Sequence, residues 1–134
     1  MFASPGVFAQ SPTLSIRVEG IVSEKGKIMI AVFDNADDFK NKQNPVLADT
    51  VEIEEKSLSV DFKNISNSVY ALAVYHDENS DGKLNTAKFG IPTEGVGFSG
   101  INGKVTRPPK FDDCSFVFKN DTSVVVKMYY RKRE

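Results

Sequence analysis

The chain has 134 residues, of which 40% are hydrophobic, and 17 lysines and arginines against 18 aspartates and glutamates give a formal charge of −1. That length suits one domain able to bury a core without staples, and the balanced charge supplies no global attraction to nucleic acid or an anionic membrane. A single cysteine (Cys114) excludes an intramolecular disulfide or a cysteine zinc cluster, a single histidine (His76) excludes a multi-histidine metal site, and no apolar run approaches the roughly 20 residues of a membrane span.

In chain order, Val7-Phe8-Ala9 before Gln10 places small residues as a secretory cleavage site does. Residues 1–12 therefore read as the tail of a signal peptide or as a flexible arm, and export to the periplasm or cell surface is expected. Leu14, Ile16 and Val18 alternate with Ser15, Arg17 and Glu19, which predicts a half-buried strand ending at Gly20. The run Ser23-Glu-Lys-Gly26-Lys predicts a hairpin turn into a second strand over 28–33, with Gly26 free to take positive φ. Asn35 before Ala-Asp-Asp-Phe-Lys predicts a capped helical turn with acids at its favourable end.

Pro45 precedes a predicted strand over 46–53, Leu58, Val60 and Phe62 alternate in another, and residues 69–75 form a further one. Cys114, Phe116 and Phe118 alternate with Ser115 and Val117, placing the cysteine on a buried face with both phenylalanines. Residues 124–130 alternate in the last strand, with Tyr129 and Tyr130 on opposite faces. About seven short strands predict an all-β fold, an antiparallel β-sandwich, as one domain over 13–130 followed by a basic tail at 131–134.

Between His76 and Asp112 the period is lost, and this stretch holds six of the nine glycines and three of the six prolines. A connection so long is usually functional, and its scattered apolar residues need burial. The strand before it is apolar on both faces. The 84–105 excursion is therefore expected to fold back over Ala71 and Ala73, with Phe89, Ile91 or Phe98 as the plug.

Asp77-Glu-Asn79-Ser-Asp81-Gly82-Lys83-Leu84-Asn85 matches the first nine positions of a calcium loop. Oxygens from Asp77, Asn79 and Asp81 wrap one side of the ion, Gly82 allows the sharp turn, Lys83 turns its carbonyl inward, and Asn85 falls on the ninth position. The twelfth position, where a bidentate glutamate belongs, is Lys88, so a carboxylate from Glu94, Asp112 or Asp113 must complete the site. The competing reading is a turn in which Asp and Asn side chains bond their own backbone. Three carboxylates within five residues repel one another in such a turn, which favours a bound cation. Weak calcium binding is the expectation.

The blocks Ala73-Val-Tyr-His-Asp-Glu-Asn-Ser-Asp-Gly-Lys-Leu-Asn85, Phe89-Gly-Ile-Pro-Thr-Glu-Gly-Val-Gly-Phe-Ser99 and Pro108-Pro-Lys-Phe-Asp-Asp113 resemble, in that order, the bacterial domain-of-unknown-function 2141 family. The resemblance spans Leu14 to Tyr130. It implies a small exported protein with a transthyretin-like or immunoglobulin-like sandwich and no established activity. Family members often carry a third acid where this chain has Asn85, which puts a ligand role there in doubt.

Other signals weaken on inspection. Gly95-Val-Gly97-Phe-Ser-Gly100 spells a dinucleotide-binding pattern but lacks the strand and helix that give it meaning, so these glycines are expected to let the chain lie close on the sheet. Ser99 has no histidine partner to make it a nucleophile, since His76 is expected to be a partly buried imidazole bonded to loop backbone, and Cys114 a packing thiol. The function expected is a non-enzymatic exported binding module for a protein or glycan partner, without nucleic acid or a membrane span. The competing readings are a hydrolase pairing carboxylates among Asp77, Asp81, Glu94 and Asp112, and an assembly subunit joined through a sheet edge.

Overall fold

The computed structural model describes residues 12–78, 95–105 and 107–130. Leu14, Ile16 and Val18 of β1 (Thr13–Glu19) point inward as their alternation predicts. On one side β1 pairs antiparallel with β4 (Leu58–Lys63), and on the other it runs parallel to β8 (Thr122–Lys127). This three-stranded sheet faces a five-stranded one built on β2 (Lys27–Phe33), β3 (Leu47–Glu52) and β5 (Ser68–Asp77). Side chains such as Ile16, Ile30, Leu72, Val74 and Phe118 fill the space between the sheets. The all-β sandwich is confirmed, with one parallel pair in place of a wholly antiparallel arrangement.

The predicted hairpin at Ser23–Lys27 is corrected. Chain 20–26 crosses from one sheet to the other, because β1 finds both its partners, β4 and β8, in the smaller sheet. Gly26 does take positive φ (77°), and for a second reason as well: a Cβ there would collide with the Asp77 carbonyl. Asn35 caps α1 (Ala36–Asn41) as predicted, its side chain accepting the Asp38 amide at 2.9 Å.

The free edge of β5 is shared end to end by two short strands. The first is β6 (Val96–Phe98), opposite Ala73 to Tyr75, and the second is β7 (Phe116–Phe118), opposite Ser68 to Tyr70. Reciprocal bonds between Val96 and Tyr129 (2.9 and 2.7 Å) then tie β6 to the chain beyond β8, closing the sandwich along that side. Gly95 and Gly97 make this approach possible, since a Cβ at Gly97 would sit 2.6 Å from Val126 Cγ1 and one at Gly95 would overlap the Tyr130 ring.

The outer face of the five-stranded sheet carries the second core. Ala71 and Ala73 are completely buried there, under Phe39 of α1, Phe98, Val105 and Cys114. The expected cover over the two alanines is present and Phe98 is its plug, while Phe89 and Ile91 lie outside the described residues. Phe39 is the hub, edge-on to Phe33 (5.5 Å), Phe111 (5.9 Å) and Phe98 (6.0 Å). Burying a ring of this size contributes about 2–3 kcal/mol.

The expected shared face of Cys114, Phe116 and Phe118 is also corrected. Cys114 ends a helical turn, α2 (Phe111–Cys114), and packs in the outer layer, whereas Phe118 lies between the sheets. Among the described residues no helix is long and apolar enough to cross a membrane.

Candidate functional site

Three side chains with reactive chemistry, His76, Ser99 and Cys114, are buried within the sandwich. His76 is completely buried on β5, between the Tyr130 hydroxyl at 2.6 Å from Nδ1 and the Lys25 carbonyl at 2.7 Å from Nε2. A carbonyl can only accept, so Nε2 carries a proton, and in the neutral imidazole Nδ1 accepts from the Tyr130 hydroxyl. Both ring nitrogens are thereby committed. The backbone bond expected for His76 is present, and its burial is complete rather than partial. Burial pushes the Tyr130 phenol up to about 12; the Val22 amide opposes that rise and Glu78 adds to it.

Ser99 fills the gap on the edge of β5 between β6 and β7. Its hydroxyl accepts the Leu72 amide at 2.9 Å and donates to the Cys114 carbonyl at 2.6 Å. Without it, two buried backbone groups would lose their partners. The Cys114 thiol is pushed up to about 12, first by burial and then by Asp113, with Lys42 opposing. It is a packing thiol, as expected. The Tyr75 phenol, raised by burial, has no hydrogen-bond partner among the described residues.

Of the residues assigned to a calcium loop, Asp77 is held at the end of β5, buried and opposite Lys27. Asn79, Asp81, Lys83, Asn85 and Glu94 lie outside the described residues. Asp112 and Asp113, offered as completing carboxylates, belong to α2, which Ser99 ties to Leu72. Asp77 is five residues further along the strand, roughly 16 Å of extended chain. The fold therefore separates these acids instead of gathering them. Among the described residues no group of three His, Cys, Asp or Glu side chains is placed to hold a metal.

A concave site does form where α1 meets the 107–112 segment. Pro108 and Pro109 fix an extended chain facing the helix, which leaves a groove of about 500 Å³ lined by Phe39, Phe111 and both prolines. Lys40, Lys42, Arg107 and Lys110 also line it, against one carboxylate among the described residues, Asp112. Lys42 stands over the rings of Phe39 (5.1 Å) and Phe98 (5.8 Å), and Nζ donates to the Phe39 carbonyl at 3.1 Å. Burial lowers its pKa, with Cys114 opposing. Sequence reading missed this site because its two halves are more than sixty residues apart. The available signal was Arg107-Pro-Pro-Lys-Phe, a stiff segment with two cations and an aromatic ring.

The comparisons with known proteins agree with the resemblance in the three sequence blocks. A family profile described as "Uncharacterized protein conserved in bacteria (DUF2141)" matches residues 16–126. The chain belongs to that family. The match runs from β1 to β8 and so takes in both sheets, the outer core and the groove. No curated protein and no solved structure matches the chain.

Proposed function

We propose that this DUF2141 protein is an exported, non-enzymatic binding module whose ligand site is the groove between α1 and 107–112. One contrast carries the reading. His76, Ser99 and Cys114, the groups that general-base or nucleophilic chemistry would use, are occupied or buried in holding the sandwich together. The groove, by contrast, is open, part apolar and cation-rich. The distance between Asp77 and α2 counts against a hydrolase built on those two acids, because paired carboxylates work at roughly 5–9.5 Å. Charged residues on two of the edge strands (Asp49 and Glu52 on β3, Asp61 and Lys63 on β4) count against assembly through those two edges.

The test is a nuclear magnetic resonance titration of the labelled chain with naphthoate and with naphthalenemethanol. Shifts at the α1 and 107–112 amides with either compound support the groove as a binding site. Absence of shifts there with both contradicts it. Export is tested by fractionating the producing bacterium, with recovery outside the cytoplasm expected and a purely cytoplasmic protein contradicting it.

Calcium at 77–85 is a second reading, favoured by the burial of Asp77, which fixes the loop's first oxygen ligand on a rigid strand. Millimolar calcium is expected to raise the melting temperature and a chelator to reverse the rise, with the response lost in Asp77→Asn. An unchanged melting temperature contradicts this reading.

A further inference from the structure

Four cations line the groove, and among the described residues none of them has a carboxylate within ion-pair distance. Among the described lining residues Asp112 is the one acid, so these residues carry an excess of three positive groups. Neighbouring like charges repel, and a solvated surface usually disperses them or pairs them with acids.

Lys42 is the most constrained of the four. It caps the C-terminal end of α1 in the left-handed region (φ 55°), where glycine would sit without strain. Its side chain turns back over two phenyl rings and makes one hydrogen bond, to the Phe39 carbonyl. An ammonium has three donors, so Lys42 keeps donor capacity for a ligand. It is also partly desolvated, and an arriving anion gains more there than beside a lysine in bulk water.

We propose that the groove binds a small organic anion consisting of one flat apolar group and one carboxylate. Lys42, Arg107 and Lys110 supply the positive field for the carboxylate, and Phe39, Phe111 and the two prolines supply the apolar lining. The volume, about 500 Å³, falls in the range of roughly 300–1,000 Å³ typical of small-ligand pockets. The assignment deepens the binding-module reading and rests on it.

Calorimetric titration of the full chain with naphthoate and with its neutral counterpart naphthalenemethanol tests it. Naphthoate is expected to bind at least about tenfold more tightly than the alcohol, and more weakly as salt is raised. Lys42→Gln is expected to weaken naphthoate binding by about tenfold. Because Lys42 also packs on the outer core, Arg107→Gln/Lys110→Gln provides a parallel test with both substitutions at the exposed rim, and a similar loss is expected. Equal binding of acid and alcohol at the groove overturns the anion assignment and leaves the groove as a binding site. Failure of both compounds to bind overturns the assignment and the groove reading together.

Discussion

The two polar regions flanking the five-stranded sheet differ in how completely their groups are matched. Around His76 and Ser99, buried donors meet acceptors: imidazole with phenol and carbonyl, hydroxyl with amide and carbonyl. Among the described residues of the α1 groove, four cations face one carboxylate over an aromatic floor. Saturated polar groups inside a protein specify the fold, because any loss leaves a desolvated partner. Apart from Lys42, which rests on two rings and bonds the Phe39 carbonyl, the unmatched charges of the groove make no contact that holds the fold among the described residues. The difference sets the hydrogen-bonded scaffold apart from the groove proposed as the binding site.

The largest effect is at Phe39, the ring shared by the outer core and the groove. Phe39→Ala is expected to cost about 3–5 kcal/mol in urea denaturation. Ser99→Ala should cost about 2–4 kcal/mol, since the Leu72 amide and the Cys114 carbonyl each lose a partner in the interior. A cost below about 0.5 kcal/mol would show that Ser99 does not bridge the edge of β5.

Cys114 provides the pH-dependent test. Its folded pKa, up to about 12, lies above the ordinary thiol value, so the folded state holds its proton more tightly than the unfolded chain. The corresponding stability is present below pH ~9 and is lost as pH rises toward the folded value. Cys114→Ala should therefore flatten the alkaline decline in melting temperature, and the native thiol should resist thiol reagents at neutral pH until the protein unfolds. Tyr130, also pushed up to about 12, adds a decline of the same sign that this substitution leaves in place. The smallest effect is at Tyr75, whose buried hydroxyl has no hydrogen-bond partner among the described residues: Tyr75→Phe should leave stability unchanged or raise it by less than about 1 kcal/mol.

What the sequence disclosed follows the range of the interaction that decides each feature. The alternation in β1 and β4 and the Asn35 cap are local, and they read correctly. The need to cover Ala71 and Ala73 was legible because a strand apolar on both faces cannot leave one in water. Short β6 escaped because three residues with a central glycine carry no period, and it is held by β5 and Tyr129 rather than by its own propensity. The alternation at Cys114 misled, since α2 turns the chain just before β7 and sends the thiol into the other layer. Gly26 signalled a turn correctly, but the partner strands of β1, all distant in sequence, decided that the turn crosses between sheets. The groove was illegible for a related reason: only the packing of α1 against 107–112 brings Lys42 and Arg107 to one lining.

The most direct measurement is the denaturant midpoint of a Lys40→Gln/Arg107→Gln/Lys110→Gln variant. If the groove cations serve a ligand and not the fold, removing three like charges leaves stability unchanged or raises it by a few tenths of a kcal/mol. A loss greater than about 1 kcal/mol would contradict the account, because those cations would then be part of what holds the sandwich together.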